Sequence, residues 1–499
     1  MQTRQWNDYA MEMFNSFMDT YYDPVKKYFF TYSDRQIHSE HAVGPEGGLY
    51  TDYWWAAQLY EMVLDVYERT EDEDMIELIY DLYEGFTLAY PDFRDNDWND
   101  DIGWWARAAI RTYDLLGDAR FIVVAKEMFD YIAQFHDDVY GGGIWWKNVD
   151  VGDVTRNEKN VATNATAVYT ALRIYAATQE IEYLKIGEEI FGWLERRFLQ
   201  PNGKLMDHIT GDDQVIDWEW TYNQGNYAGA ALEMYLLNQE PSYLQSANLA
   251  IVWGLNNLTT SSTLLYEGDG DTAGFKAIMT RNILALIQKA GQVQYENALE
   301  HNAMQAYNHR NLLGLTGYNW AGRTADIPLQ SLGAGAAVAI AFQTEATEYQ
   351  GIVEGNRLYE AENEPRDGVI TENITQGYTS RGYVAGWIAD RSFVDVQVNL
   401  INAASYGVVF KFATGAGEAS RILRMNGAIL GRVIFPNMGT WNTWYLARLV
   451  LPLPSGATSL SLTLDYDLGA ENYMNLDNVF IETPVSESTM ETIELRLEK

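Results

Sequence analysis

In the stretch Tyr113-Asp-Leu-Leu-Gly-Asp-Ala-Arg-Phe121, a short polar turn separates two apolar segments of helical period. The same design, a Tyr followed eight positions later by an apolar residue, recurs in Tyr67-Glu-Arg-Thr-Glu-Asp-Glu-Asp-Met75, Tyr175-Ala-Ala-Thr-Gln-Glu-Ile-Glu-Tyr183 and Tyr235-Leu-Leu-Asn-Gln-Glu-Pro-Ser-Tyr243. The four tyrosines are spaced by 46, 62 and 60 residues. One helical hairpin per period of this length is typical of a closed or stacked α/α array. The repeat is a packing signal and identifies no site.

Helical periodicity extends over residues 1–347. Within 52–68, for example, apolar side chains recur at the three-to-four spacing of an amphipathic helix. Comparable segments lie at 3–20, 74–88, 102–116, 119–135, 162–177, 180–198, 224–237, 241–256, 273–289, 293–310 and 328–345. About twelve helices in six hairpins predict an (α/α)6 barrel, whose loops at one end would form a cleft.

The residue pattern changes after about residue 350. Val394-Asp-Val-Gln-Val-Asn-Leu400 and Leu460-Ser-Leu-Thr-Leu-Asp-Tyr466 alternate with period two, and Gly and Asn separate such runs. This pattern predicts an all-β jelly-roll sandwich over residues 355–483. The polar and acidic residues 484–499 are predicted to form a tail. Two domains also suit a chain of 499 residues.

Composition excludes several classes of function. The net charge of -36 argues against nucleic acid and anionic membranes as partners, but is compatible with a neutral polysaccharide. The 16 Trp and 34 Tyr suit stacking on sugar rings, although a Trp-rich helical core is the alternative. Because cysteine is absent, disulfides, thiolate nucleophiles and Cys-ligated metals are excluded. No apolar run reaches the roughly 18 residues of a membrane span.

The densest acidic cluster is Asp92-Phe-Arg-Asp-Asn-Asp-Trp-Asn-Asp-Asp101, just before a predicted helix. An EF-hand calcium loop fails, because its sixth position would be Asp100 and its twelfth Ala106. A helix N-cap is a second interpretation. The third is catalytic: at an irregular helix entrance Asp100 and Asp101 could converge about 5–5.5 Å apart, as a retaining glycosidase requires. Neighbouring carboxylates also split their pKa values, which suits one nucleophile and one acid.

The sequence resembles glycoside hydrolase family 76, the endo-α-1,6-mannanases, in several motifs in the same order. These are Asn99-Asp-Asp-Ile-Gly-Trp-Trp-Ala106, Gly141-Gly-Gly-Ile-Trp-Trp146, Lys159-Asn-Val-Ala-Thr-Asn164, Thr221-Tyr-Asn-Gln-Gly225, Gly274-Phe-Lys276 with Arg281, and Asn302-Ala-Met-Gln-Ala306 with Trp320. The resemblance implies an (α/α)6 barrel and a retaining mechanism with Asp100 as nucleophile and Asp101 as acid/base. It implies no cofactor for catalysis.

Twelve further residues are candidates for substrate binding: Asp52, Trp54, Trp55, Trp145, Trp146, Asn164, Asp217, Tyr222, Asn223, Gln224, Lys276 and Arg281. Several of them have a structural alternative. The first tryptophan pair could belong to the core, and residues 222–224 could cap a helix. Of the second tryptophan pair, one member is favoured as a stacking platform. The six histidines show no metal-binding spacing, and His301 is expected to be structural.

The C-terminal segment resembles carbohydrate-binding module family 6, although the related family 35 shares several of the motifs. They are Tyr359-Glu-Ala-Glu362, Gly382-Tyr-Val-Ala-Gly-Trp387, Gly439-Thr-Trp-Asn-Thr-Trp444 and Asn475-Leu-Asp-Asn-Val479. This resemblance implies a structural calcium held by Glu360, Glu362 and Asp477. It also implies a sugar site formed by Tyr383, Trp441 and Asn475. For Trp387 and Trp444 a place in the sandwich core is the preferred interpretation.

Together these features predict an endo-acting, retaining hydrolase of α-1,6-mannosidic linkages in α-mannan. We expect it to be a monomer, secreted or on the cell surface, with its signal peptide absent from this sequence. Alternatives are another (α/α)6 enzyme, such as a transglycosylase or uronyl hydrolase, and a non-catalytic glycan-binding protein. A lyase would need basic residues, and the net charge of -36 disfavours that class. Epimerases of this fold rely on paired histidines, and the sequence pattern shows no such pair.

Overall fold

The computed structural model describes residues 6–149, 158–311, 313–325, 328–346, 357–375, 377–379, 382–400, 403–482 and 492–498. The predicted boundaries at 347, 355 and 484 lie outside these ranges. The chain forms two compact units. One comprises Met1–Met11, Tyr21–Tyr307 and Thr316–Glu348, and the other Glu12–Thr20, Asn308–Leu315 and Tyr349–Lys499.

The helices follow the predicted periodicity to within a few residues. They are α1 (Trp6–Tyr21), the single turn α2 (Pro45–Gly48), α3 (Tyr53–Thr70), α4 (Asp74–Ala89), α5 (Asn99–Leu116), α6 (Ala119–Ala133), α7 (Val161–Thr178), α8 (Ile181–Phe198), α9 (Thr221–Asn238), α10 (Pro241–Asn257), α11 (Phe275–Ala290), α12 (Glu296–Asn308) and α13 (Ser331–Phe342). Short hairpins join some of them: β1 (Tyr22–Asp23) with β2 (Tyr28–Phe29), β3 (Lys159–Asn160) with β4 (His208–Thr210) and β5 (Gln214–Ile216), and β6 (Thr259–Thr260) with β7 (Thr263–Leu264).

Six of the helices close a ring. Helix α3 packs on α5, α5 on α7, α7 on α9, α9 on α11, α11 on α13, and α13 on α3 again. Helices α4, α6 and α10 pack outside α3, α5 and α9, and α8 packs outside α7. This arrangement confirms the predicted (α/α)6 barrel.

The tyrosine repeat marks the ends of four ring helices. The residue four positions after each tyrosine has a positive φ, between 53° and 68°, and its N–H donates to the tyrosine carbonyl. These residues are Glu71, Gly117, Gln179 and Gln239. A left-handed residue with this hydrogen bond is a common way to end a helix. The repeat is therefore a recurring C-cap that turns the chain into the next helix.

A buried charge network crosses the inside of the barrel. Asp65 of α3 accepts hydrogen bonds from Arg111 Nη2 of α5 at 2.7 Å and from Arg281 Nη2 of α11 at 2.8 Å. Glu61 and Arg107 are buried beside them. The network links three ring helices, and removal of one partner would leave a buried charge uncompensated, which is strongly destabilising.

The second unit contains a β-sandwich whose strands are β8 (Arg357–Glu360), β9 (Arg366–Asp367), β10 (Ile370–Glu372), β11 (Tyr383–Ala385), β12 (Phe393–Leu400), β13 (Ala404–Thr414), β14 (Ala419–Met425), β15 (Ala428–Phe435), β16 (Thr440–Leu453), β17 (Gly456–Thr463), β18 (Asn475–Ile481), β19 (Ile493–Glu494) and β20 (Leu497–Glu498). One sheet has the order β10-β11-β18-β13-β16-β19, with β8 also on β18, and the other β20-β15-β14-β17-β12-β9. Both sheets supply residues to one apolar core.

The predicted tail differs from the structure where it is described. Strand β19 pairs with β16, and β20 pairs with β15, so the end of the chain extends both sheets. Leu495 is buried in the sandwich core, with Ile493 and Leu497 packed against it. These three apolar residues alternate with polar ones at period two, a strand signal that the overall polarity of the segment conceals.

No helix in the described part of the chain is long and apolar enough to cross a membrane.

Candidate active site

The two adjacent aspartates lie in the first turn of α5, where a neighbouring loop fixes the helix entrance. Asn99 is buried; its N–H donates to the Trp146 carbonyl at 2.7 Å and its Nδ2 to the Trp145 carbonyl at 2.9 Å. Trp98 also forms a β-bridge with Lys147. These bonds hold residues 145–147 beside the start of α5, although the two segments are far apart in sequence.

Asp100 and Asp101 have different hydrogen-bond partners. Asp100 accepts from the Trp146 indole N–H at Oδ2, at 3.0 Å, and from the Asp101 backbone N–H at Oδ1, at 3.1 Å. Asp101 accepts from Asn96 Nδ2 at 3.0 Å. Both carboxyl groups are half-buried. The N-cap position belongs to Trp98, so the capping interpretation of the aspartates is wrong.

Burial raises the pKa of both groups, and nearby acidic charges add to the shift. Burial raises the pKa of Asp100 to about 7; the Trp146 and Asp101 N–H groups counteract it, and the negative charge of Glu158 adds to it. Burial raises the pKa of Asp101 well above its ordinary value, and Asp100 and Asp52 raise it further. Of the pair, Asp101 therefore holds a proton more firmly, while Asp100 ionises first.

A second group of predicted residues meets beside Asp101. Asp52 caps α3 by accepting from the Trp55 N–H at 3.0 Å, and His41 Nε2 lies 2.8 Å from its other oxygen. Trp54 is half-buried, with its ring near Trp104 and Phe275. Trp55 is fully buried, so its ring cannot face a sugar. It belongs to the core, as the structural alternative held.

The neighbouring tryptophans also separate. Trp145 is buried, its indole N–H donates to Asp137 Oδ2 at 2.8 Å, and Lys159 Nζ lies 4.7 Å from its ring centre. Both faces are thus occupied or packed, and we assign Trp145 a structural role. Trp146 is half-buried and contacts Asp100.

Several polar candidates are interior hydrogen-bonding residues. Asn164 bonds both backbone groups of Ile144, at 2.6 and 3.0 Å, and Asn223 Nδ2 donates to Asp207 at 2.6 Å. Gln224 is also fully buried. Because their amides are enclosed by protein, these three residues hold the loops around the site and present no free face to substrate. Tyr222 differs: it is half-buried and stacks on Phe275 at 4.0 Å.

The charged candidates are engaged elsewhere. Arg281 lies in the buried network with Asp65, inside the barrel. Asp217 is exposed and pairs with Lys204 Nζ at 2.7 Å. Lys276 is buried over the Trp320 ring, and its ammonium donates to the Tyr318 carbonyl. Burial lowers the pKa of Lys276 to about 8, while the charge of Glu267 opposes the shift.

In the sandwich, Tyr383 is buried, and its hydroxyl lies 3.2 Å from both Glu372 and Thr375. Its ring packs edge-on against Trp444. Trp441 is half-buried beside Gly415, whose missing Cβ leaves room for the ring. Trp387 lies in the core, whereas Trp444 is partly exposed. Asn475 is largely buried at the start of β18.

Two of the predicted calcium ligands, Glu360 and Asp477, lie on the paired strands β8 and β18, and Glu362 lies in the short 3-10 turn Ala361–Asn363 that follows β8. Glu360 faces Asn478 in the register of β8 and β18, and Thr379 Oγ1 lies 2.8 Å from Glu360 and 3.0 Å from Asp477. Burial, followed by Asp477 and Glu362, raises the pKa of Glu360 well above its ordinary value. Oxygen-only donors of this kind suit calcium. Lys411 Nζ, 2.8 Å from Asp477, already supplies one positive charge.

Comparison with known proteins identifies the first unit. Residues 5–355 match Glycosyl hydrolase family 76. The chain belongs to this family. Residues 360–483 match Carbohydrate binding module (family 6). Both predicted resemblances, and the enzyme class that the first implies, are thereby confirmed.

Solved family 76 structures share this barrel. The GH76A alpha-1,6-mannanase of Salegentibacter sp. HEL1_6 is 28% identical, with a TM-score of 0.60, over 68% of this chain and 98% of that chain. An inactive variant of that enzyme, in which two successive aspartates are replaced by asparagine, is in complex with alpha-1,6-mannotriose; it has a TM-score of 0.61.

Curated relatives cover less of the chain. Mannan endo-1,6-alpha-mannosidase DFG5 of Saccharomyces cerevisiae is 25% identical over 256 residues, which are 46% of this chain and 56% of the relative. A cycloisomaltooligosaccharide glucanotransferase of Niallia circulans is 30% identical over 132 residues, 26% of this chain and 14% of the relative. The chain thus spans less than two thirds of either relative.

Sequence reasoning missed several residues that the fold brings close to the aspartate pair or to the predicted residues beside it. Asn96 lies inside the quoted acidic cluster, yet only the fold shows that it contacts Asp101. Asp271 lies just before the Gly274-Phe275-Lys276 motif and meets Trp54. Glu158, near Asp100, has a pKa that burial raises to about 7, and His208 counteracts the shift. The raised pKa of Glu158 is a signal of a functional site, and it exists only in the folded chain.

Proposed function

We propose that this protein is an endo-acting α-1,6-mannanase that hydrolyses α-mannan with retention of configuration. The observation that supports this proposal most directly is that the two adjacent aspartates have unequal environments. Two N–H donors bind the Asp100 carboxyl, whereas Asp101 has one amide partner and three acidic neighbours. Unequal carboxyl groups at one site suit the two different roles that carboxyl groups play in glycosidases. The α-1,6-mannanase relatives support the choice of linkage.

Each aspartate then has one task. Ionised Asp100 attacks the anomeric carbon and forms a covalent glycosyl intermediate, while protonated Asp101 gives its proton to the departing oxygen. In the second step Asp101 takes a proton from water, which displaces Asp100 from the sugar. Trp146 orients the nucleophile, and the half-buried rings of Trp54 and Tyr222 offer surfaces for sugar stacking.

The direct test is incubation with linear α-1,6-mannan. We expect a ladder of oligosaccharides by chromatography, and α-anomers in the earliest proton NMR spectra. Asp100→Asn and Asp101→Asn should each reduce kcat by at least about a thousandfold, roughly 4 kcal/mol. Asp92→Asn, an exposed acid of the same cluster, is the matched control. Initial β-product, or more than a tenth of the activity in either variant, would contradict the assignment.

We also propose that the sandwich binds carbohydrate through Trp441 and holds calcium at Glu360, Glu362 and Asp477. A cation there would relieve the repulsion that raises the pKa of Glu360. Excess chelator should therefore lower the melting temperature of the full chain, and added calcium should restore it. Asp477→Asn should abolish this response. An unchanged melting temperature would contradict the calcium proposal.

Trp441→Ala should weaken attack on insoluble mannan and leave short oligosaccharides unaffected, because tethering raises only the local concentration of polymer. Trp387→Phe, a core substitution, serves as the comparison.

Secretion and the monomeric state stay predictions. Detection of the protein in the culture supernatant tests the first, and size-exclusion chromatography tests the second.

A further inference from the structure

An exposed carboxylate, Asp271, lies where two indole N–H groups converge. Trp54 Nε1 donates to Asp271 Oδ1 at 3.0 Å, and Trp55 Nε1 donates to the same oxygen at 2.8 Å. Two donors on one oxygen fix the orientation of the carboxylate. Within the described residues no donor bonds Oδ2, and the side chain is solvent-accessible. Asp271 therefore presents one fixed, charged acceptor to the solvent side of the site.

The support for this carboxylate is rigid. Trp55 is fully buried, and His41 stacks on it with ring centroids 3.9 Å apart and planes 13° apart. Asp52 accepts from the Trp55 N–H at 3.0 Å and lies 2.8 Å from His41 Nε2. A charged acceptor built on packed residues is pre-organised, so little entropy is lost when a ligand binds.

Asp271 belongs to the acidic group around Asp101. Ligand atoms of Asp271 and Asp52 lie within 4.8 Å of each other, and the charges of both acids raise the pKa of Asp101. If Asp101 protonates the departing oxygen, Asp271 lies toward the leaving sugar.

We propose that Asp271 is a specificity-determining residue that accepts hydrogen bonds from adjacent hydroxyl groups of the leaving sugar; this rests on the proposed function. A carboxylate can accept from two neighbouring hydroxyls, and such charge-assisted bonds are among the stronger ones available. The Trp54 ring, half-buried beside the carboxylate, offers an apolar surface for the C–H face of the same sugar.

A metal ion is the rival occupant. Ligand atoms of His41, Asp52 and Asp271 lie within 4.8 Å of one another. However, His41 Nε2 already bonds Asp52, and Asp271 Oδ1 already accepts two indole N–H groups. A metal would have to replace bonds that satisfy these atoms, whereas a sugar hydroxyl needs only Oδ2. The geometry favours the sugar.

The test compares Asp271→Asn with Asp269→Asn, an exposed carboxylate of the same turn, in the full-length protein. Two substrates are used: α-1,6-mannotetraose, and an aryl α-1,6-mannotrioside whose leaving group is a nitrophenol. Asp271→Asn should lower kcat/KM for the tetraose about ten- to hundredfold, with most of the change in KM. It should leave the aryl substrate within about twofold, because no sugar occupies the leaving side. Asp269→Asn should match the wild type on both.

Other outcomes would overturn the assignment. Equal losses on both substrates would place Asp271 on the Asp100 side or in folding, and a lower melting temperature would identify the second case. No loss on either substrate would remove its role. Activity lost in excess chelator and restored by a divalent metal, with the same loss in His41→Ala, would assign the cluster to a metal. If the wild type does not cleave α-1,6-mannan, the proposed function itself fails. None of the variant comparisons gives that result, so the two failures can be told apart.

Discussion

At the scale of single residues, the Trp146 indole separates the roles of two chemically identical neighbours. Its N–H binds Asp100 Oδ2 at 3.0 Å and lowers the pKa that burial raises. Trp146→Phe keeps the ring and removes this donor. We expect kcat to fall about ten- to hundredfold, since a hydrogen bond to a charged group contributes about 1.5–3 kcal/mol. The acidic limb of the pH–rate profile should move to higher pH, because Asp100 then ionises later.

The neighbouring Trp145→Phe is the matched control for that prediction. Trp145 donates to Asp137 instead of a catalytic residue, so this substitution should leave the acidic limb in place. If both variants shifted the limb equally, the effect would come from loop disorder. If neither did, Trp146 would not tune the nucleophile.

At the scale of elements, close helix packing depends on particular glycines of the ring. A Cβ at Gly225 of α9 would lie 2.4 Å from Met279 Cα of α11, whereas a Cβ at Gly103 of α5 would meet only side-chain methyls at 3.6 and 3.7 Å. Gly225→Ala should therefore destabilise the protein by about 1–3 kcal/mol or more, because the backbone must move. Gly103→Ala should be neutral or stabilise it by up to about 1 kcal/mol, through higher helix propensity.

Chemical denaturation of the two variants checks this pair. Similar stability of both variants would mean that α9 and α11 can separate at no cost. That result would contradict a close-packed ring.

At the scale of the whole molecule, buried carboxyl groups with raised pKa values make the stability of the fold depend on pH. Burial raises the pKa of Asp100, Glu158 and Glu267 to about 7 each. A carboxyl group with a raised pKa in the folded state contributes stability that is fully present below its unfolded pKa of about 4. That contribution is lost as the pH rises through about 7, because the unfolded chain ionises these groups more easily than the folded protein does. The melting temperature should therefore fall between pH 5 and pH 8.

Asp100→Asn provides the internal check on this pH dependence. The variant should be more stable than the wild type at pH 8 and nearly equal to it at pH 4, where both carry a neutral side chain. Groups such as Asp65, whose pKa is lowered by Arg281 and Arg111 against the effect of burial, act in the opposite direction and only at lower pH. A melting temperature that is flat from pH 5 to pH 8 would contradict the prediction.

The sequence by itself determined the helix ladder, the change to alternating strands and the adjacent aspartates. Those features depend on local periodicity and on neighbours in the chain. In the tyrosine repeat, for example, each helix ends with a hydrogen bond between the tyrosine carbonyl and the N–H of the residue four positions later. Only the tertiary structure separated buried from available side chains. Arg281, Asn223 and Tyr383 were predicted to bind sugar, yet they satisfy interior partners brought from other segments.

The same reason explains the residues that were missed. Asp271 is 217 positions from Trp54, so no local pattern connects them. Trp146 was predicted as a site residue, but it is 46 positions from Asp100, so its bond to that carboxyl group could not be read from the sequence. Hydrogen-bond direction and burial depend on which loops the closed ring of helices brings together. The chain therefore encodes the adjacent aspartates locally, but only the closure of the barrel gives one aspartate its indole donor and the other its acidic neighbours.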